Sequence, residues 1–331
     1  MRPDKCHCEV AGFCKIYQRQ MDAAGIKWCK ESTQEKRENY KKFNSSQEEK
    51  KTPQRLPNYI NPINFYDELP KQKSDIAVCT IPANDIAMEQ LNITRKSIKS
   101  YAKKCGADYI ELSGDQCPEF PMYNKYRLYQ ITSKYEKTVY LDCDIIVKNN
   151  CPNLFETTPN DKLSAHCQKN TIYENQQIET KRNLTEEKNK VFNGTMEVYK
   201  HIAETHKLKN TEYLPNGGVL VIPKSVCNLY KQPSQSYQKE WCFDQYYLGG
   251  HLDESNFHNL GEEYNNEFIK ESFWKKLDSC YIIHVDGSRP QDYREELLRR
   301  LVKGKYEKFL PPAAKETDNF HDKWRPAWFY L

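Results

Sequence analysis

The chain has 331 residues, enough for one large α/β domain with an appendage or for two ordinary domains. Hydrophobic residues make up 38%, and no apolar run approaches the roughly 20 residues of a membrane helix, so no membrane span is expected. The 50 Lys and Arg against 46 Asp and Glu leave a formal charge of +4, too small to argue for a nucleic-acid surface.

The first residues, Met-Arg-Pro-Asp-Lys-Cys-His-Cys, form no apolar leader, so a cytoplasmic protein is expected and the sequons at Asn92, Asn183 and Asn193 are expected to be silent. Thirteen cysteines in such a compartment favour metal ligation or buried thiols over a disulfide framework. Cys6, Cys8, Cys14 and Cys29 crowd the start, and residues 1–46 read as a separate Cys-rich unit. Four thiolates can close a tetrahedral zinc site, and so short a unit needs a staple because it cannot build a core. An iron–sulfur cluster, or free thiols packed on the main domain, are the other readings. Residues 47–73 are polar, with four prolines from Pro53 to Pro70, and read as a linker laid on the surface.

Residues 74–290 read as the main domain. Residues 75–81, Asp-Ile-Ala-Val-Cys-Thr-Ile, have the profile of a first buried strand. Helical spacing follows over 92–105 and ends at Gly106, a glycine suited to a left-handed cap. A second strand over 108–112 completes a βαβ opening and implies a mainly parallel sheet. Residues 122–134, with Lys125 near their start, read as the next helix. The stretch 138–147, Thr-Val-Tyr-Leu-Asp-Cys-Asp-Ile-Ile-Val, reads as a central strand covered on both faces, yet it carries two carboxylates. In a strand, residues i and i+2 share a face, so Asp142 and Asp144 would point the same way. Two like charges in a dry interior are costly unless neutralised, and a divalent ion resolves the conflict.

Residues 168–211 are charged and polar and read as an insertion or lid over the site. Asn216-Gly217-Gly218 opens a strand over 213–223, where the glycines allow close approach of a ligand to the backbone. Asp244-Gln245 falls at a helix start, and a last strand runs into His284. Residues 291–331 form a C-terminal piece with one amphipathic helix, Tyr293, Leu297, Leu298 and Leu301 on one face. Glu295 and Glu296 pair there with Arg299 and Arg300 at i,i+4. The end, from Trp324 to Tyr330, is aromatic and reads as a packing anchor.

Four separated blocks together resemble glycosyltransferase family 8, the glycogenin-like and bacterial galactosyltransferase-like group of GT-A fold enzymes. They are Cys79-Thr80-Ile81-Pro82-Ala83-Asn84-Asp85, Tyr140-Leu141-Asp142-Cys143-Asp144, Asn216-Gly217-Gly218-Val219 and Ile283-His284-Val285-Asp286-Gly287-Ser288-Arg289-Pro290. The resemblance implies a Rossmann-like, mixed but mainly parallel sheet flanked by helices. It implies a hexosyltransferase that takes a UDP-sugar donor, uses manganese or magnesium, retains the anomeric configuration, and has a glycan, lipid-linked or protein acceptor. Asp142, Asp144 and His284 would hold the ion. Thr80, Ile81 and Asn84 would meet the nucleoside, and Lys125 would reach the donor. Asp142 and Cys143 would lie along the donor, with Cys143 filling core behind the ion. Asn216, Gly217 and Gly218 would wall the sugar, while Gly287 and Arg289 would meet the diphosphate. Asp244 and Gln245 would be the catalytic pair, although Asp244 or Glu262 could equally serve an inverting enzyme as general base.

Two features depart from the family pattern. Gln291 follows Pro290 where an aromatic residue is usual, and Pro82 is extra in the first block. The competing readings are a metal-dependent nucleotidyltransferase, disfavoured because the loop from Thr80 to Asp85 lacks glycine, and a non-catalytic nucleic-acid- or protein-binding protein using the Cys-rich unit.

Overall fold

Short runs of three to nine residues, most of them apolar, become the strands of a central sheet. The computed structural model describes residues 59–167, 202–208, 213–234, 236–238, 243–268, 273–286 and 291–304. Cys6, Cys8, Cys14, Cys29, Gly287, Arg289, most of the expected insertion and the aromatic end lie outside the described residues.

A two-residue strand β1 (Tyr59–Ile60) precedes β2 (Ile76–Thr80), helix α1 (Asp85–Cys105) and β3 (Asp108–Glu111). A 3-10 helix (Pro121–Arg127) continues into α2 (Leu128–Thr132), then β4 (Lys137–Leu141), β5 (Ile145–Val147), α3 (Leu154–Thr157) and β6 (Leu163–Cys167) follow. Next come β7 (Pro215–Pro223), a second 3-10 helix (Lys224–Tyr230), β8 (Tyr237–Gln238), α4 (Phe243–Gly250) and β9 (Phe257–Asn259). The last elements are β10 (Asn266–Glu267), α5 (Phe273–Lys276), β11 (Ile282–His284) and α6 (Gln291–Val302).

The six-stranded sheet has the order β3-β2-β4-β7-β6-β9, and only β7 runs against the others. This is the mixed, mainly parallel sheet expected from the βαβ opening. Along β4, Val139 and Leu141 pack into one apolar cluster with α1, while Tyr140 enters the cluster on the opposite face. That alternation is the period-two geometry of a strand buried on both sides. Five of the eight cysteines among the described residues, Cys79, Cys117, Cys143, Cys151 and Cys280, are buried free thiols, in keeping with the buried-thiol reading.

Helix α1 begins earlier than its apolar spacing suggests. Asn84 caps it, its Oδ1 accepting the Ala87 N–H at 2.9 Å, and Asp85 complements the positive end of the helix. Gly106 closes it at φ 69°, the left-handed cap expected.

The stretch 138–147 is not one strand. It breaks at Asp142-Cys143-Asp144, where the Ile145 N–H reaches the Asp142 carbonyl at 3.3 Å. β4 stays in the large sheet, and β5 joins a second sheet of order β10-β11-β5. Both halves are buried, so the apolar run shows no interruption in the sequence, although the pairing partners change. The expected helix over 122–134 also differs, its first half being the tighter 3-10 form.

Two further contacts position the site. Arg127 is wholly buried, with Nε to Asp67 Oδ2 at 3.0 Å, Nη2 paired with Asp67 Oδ1, and Nη1 and Nη2 on the Gly114 and Ser113 carbonyls at 2.5 and 3.0 Å. This clamp fixes the 3-10 helix that carries Lys125. Helix α6 buries Leu297, Leu298 and Leu301 against Ile146, Phe273, Ile283 and Val285. Its outer face carries the expected pairs, Glu295–Arg299 at 3.9 Å and Glu296–Arg300 at 2.6 Å.

Candidate active site

The three-residue turn between β4 and β5 brings Asp142 and Asp144 together from the ends of two sheets. β11 pairs antiparallel with β5 so that His284 lies opposite Ile145, next to the turn. Ligand atoms of Asp142, Asp144 and His284 all lie within 4.8 Å of one another. The shared strand face expected for the two carboxylates is therefore replaced by a turn, which achieves the same convergence.

Each group is held from behind. The Asp142 N–H donates to the Gly218 carbonyl at 2.9 Å, and the Tyr140 hydroxyl donates to Asp142 Oδ1 at 2.5 Å. Lys125 Nζ lies 3.5 Å from Asp142, 3.7 Å from Asp244 Oδ2 and 3.1 Å from the Gly217 carbonyl, bridging the two acids. His284 Nδ1 meets Asn265 Oδ1 at 2.9 Å, which fixes the proton on Nδ1 when the ring is neutral and leaves the Nε2 lone pair toward Asp144 Oδ1, 3.4 Å away. Asp144 Oδ2 accepts from Arg294 Nη2 at 2.5 Å.

These contacts explain the charges. Burial would lower the His284 pKa, but Asp144 overrides it and raises the value. Burial would raise that of Asp144, and His284 and Arg294 hold it below the usual carboxylate range. Asp244 differs: burial dominates and raises its carboxyl, with Lys125 acting in the opposite direction.

The residues present fit a divalent ion. Buried Asp144 Oδ1 faces His284 Nε2 at 3.4 Å without a well-formed hydrogen bond, an ion pair that a divalent cation would replace with loss of the imidazole proton. Two carboxylates and an imidazole form a donor set suited to manganese or magnesium with further oxygen ligands.

A small pocket is lined by Lys125, Gly217, Tyr230, Asp244, Gln245 and Leu248 among others. Asp244, in the first turn of α4, is half-buried, and its inaccessible Oδ1 has no hydrogen-bond partner. The glycines of β7 are required for space rather than for backbone freedom. A Cβ at Gly218 would lie 2.4 Å from His284 Cε1, and one at Gly217 would lie 2.7 Å from Lys125 Nζ.

Other expected site residues have structural partners. Thr80 Oγ1 is 3.4 Å from Cys143 Sγ, and both are buried, as is Ile81. Cys143 thus fills core behind the turn, and its thiol is pushed up to about 12 by burial. Asn84 caps α1 from an exposed position. Asn216 spends its side chain on Glu267 and on the Gly218 N–H at 2.7 Å. Glu262 pairs with Lys276. Arg294, Asn265, Glu267 and Tyr230 escaped the sequence reading. A signal existed for Arg294, which falls at i−3, i−4 and i−7 from Leu297, Leu298 and Leu301 and so lies on the buried stripe of α6.

The sequence profile of Glycosyl transferase family 8 matches residues 31–201, just over half of the chain. No curated protein sequence matches. Among solved structures, a glycosyltransferase involved in glycosylation of the major capsid of PBCV-1 is similar at 10% identity and a TM-score of 0.44, over 67% of this chain and 98% of that one. The bifunctional glycosyltransferase WbbM is similar at 13% identity and a TM-score of 0.46, over 72% of this chain and 53% of that one. The galactosyltransferase LgtC, solved with donor and acceptor sugar analogs, is similar at 13% identity and a TM-score of 0.40, over 72% and 99%.

Proposed function

The chain belongs to glycosyl transferase family 8, and from that membership we propose that it transfers a hexose from a UDP-sugar to a glycan, lipid-linked or protein acceptor. Transfer proceeds with retention and depends on manganese or magnesium. The observation that carries this reading is the convergence of Asp142, Asp144 and His284 beside a small pocket lined by Lys125, Gly217, Asp244 and Gln245. No helix among the described residues is long and apolar enough to cross a membrane.

A divalent ion at this site supplies Lewis-acid stabilisation to the departing diphosphate. Lys125 adds a fixed positive charge within reach of the donor, aimed by the Gly217 carbonyl. Asp244 presents a buried carboxylate oxygen that can accept a hydrogen bond from a sugar or acceptor hydroxyl, or stabilise positive charge at the sugar carbon. Gln245 lines the same pocket and can orient either substrate. Gly287 and Arg289 are proposed to meet the diphosphate, with the guanidinium neutralising its terminal phosphate. Cys6, Cys8, Cys14 and Cys29 are proposed to hold a structural zinc ion, checked by elemental analysis of protein purified without chelator.

UDP release from a panel of UDP-hexoses with manganese tests the reading. Slow hydrolysis of at least one donor is expected without acceptor, and Asp144→Asn should abolish it while preserving the circular dichroism spectrum. Absence of both turnover and UDP protection against thermal unfolding across the panel would refute the assignment.

A further inference from the structure

Arg294 has no role in the reading above, yet its guanidinium is only 12% exposed and is bonded directly to a proposed ion ligand. Three partners lock it. Nη2 donates to Asp144 Oδ2 at 2.5 Å, and Nε and Nη2 both donate to the Val285 carbonyl at 3.1 Å. With its amide turned so that oxygen faces the guanidinium, Gln90 of α1 accepts from Nη1 at 3.2 Å and Nη2 at 3.1 Å. The three leucines of α6 set the position of the side chain from below.

We propose that Arg294 is a specificity-determining residue of the ion site: by occupying Asp144 Oδ2 it confines that carboxylate to one-oxygen ligation through Oδ1, which disfavours calcium relative to manganese. The inference rests on the ion-binding reading of Asp142, Asp144 and His284. Its physical basis is coordination number. Calcium takes six to eight oxygens and accepts carboxylates in either one- or two-oxygen mode, whereas the smaller octahedral ions do not need the second oxygen. Arg294 holds that second oxygen in a charge-assisted bond, so calcium would have to break the bond to gain it. The positive charge of Arg294 repels both divalent ions alike. The ratio of their affinities cancels this repulsion; His284 itself favours manganese, and comparing the ratio between wild type and the Arg294 variants removes that common contribution, leaving the constraint on Asp144.

The test titrates the full chain with Mn²⁺ alone, following the loss of free-ion signal by electron paramagnetic resonance, and then displaces the ion with Ca²⁺. Wild type is compared with Arg294→Met, which keeps an apolar stem but cannot donate to Asp144, and with Arg294→Lys, which keeps a charged donor but loses the fork. The Ca²⁺-to-Mn²⁺ ratio of dissociation constants is expected to fall on the order of tenfold in Arg294→Met, with a smaller fall in Arg294→Lys. A merely structural arginine would alter thermal stability and leave this ratio in place. A ratio unchanged within about twofold in folded Arg294→Met would overturn the proposal, as would a wild type that binds the two ions equally. A wild type that binds no Mn²⁺ would overturn the ion site itself, and the Arg294 inference with it.

Discussion

Gly218→Ala is the sharpest test of how the site is built. The added methyl carbon would lie 2.4 Å from His284 Cε1, 2.8 Å from His284 Nδ1 and 3.0 Å from Asn216 Oδ1. The imidazole cannot retreat easily, because Nδ1 is tied to Asn265 and the ring is 4% exposed. Gly218 lies in β7, paired to β4, so its backbone is equally constrained. Overpacking of this kind costs about 1–3 kcal/mol, or roughly 2–12 °C in Tm for a domain of this size. The larger effect is expected on ion binding, because a displaced His284 removes one of the three proposed ligands. Gly217→Ala is the comparison: its methyl would meet Lys125 Nζ, the end of a long side chain that bridges Asp142 and Asp244, and leaves the His284 ring untouched. Guanidinium denaturation and Mn²⁺ titration of both variants should show Gly218→Ala losing stability and ion binding together, with Gly217→Ala losing less of both. Wild-type ion affinity in Gly218→Ala would refute the placement of His284 against β7.

Asn265→Ala should weaken Mn²⁺ binding about 10- to 100-fold by releasing the His284 ring, as measured by titration, with Asn265→Asp restoring it. Arg127→Ala should destabilise the protein by about 3–5 kcal/mol in denaturant unfolding, because it leaves Asp67 without its buried partner; Arg127→Lys should recover little of the loss. In chelator-treated protein, the His284 pKa is raised by Asp144 to about 9. The pair therefore stabilises fully below the ordinary histidine value of about 6.5 and is lost as pH rises through the folded value. Denaturation midpoints should fall across that window in wild type and stay flatter in His284→Gln.

The parts legible in the sequence were those with local causes. The alternation of β4 marks a strand, Gly106 marks a helix end, and the Glu–Arg pairs of α6 mark an exposed face, each within a few residues. The Asp142–Asp144 turn was hidden because β5 continues the apolar composition of β4 while changing its partner to β11. Arg294 was hidden for a related reason: charge suggested solvent, although its place on the leucine stripe pointed inward. The two carboxylates stood out because two charges in an apolar run demand a neutralising partner, whereas His284 was reached only through the resemblance carried by the block from Ile283 to Pro290.

The departure of β5 from the large sheet also bears on the order of folding. Its partner β11 arrives more than 130 residues later, so the cluster of Asp142, Asp144 and His284 depends on one of the longest-range pairings among the described residues. Closing so large a loop is slow and cannot precede synthesis of the C-terminal strand. A nascent chain that already contains Asp142 and Asp144 therefore lacks His284, and donor-binding competence should appear only as the last strand docks.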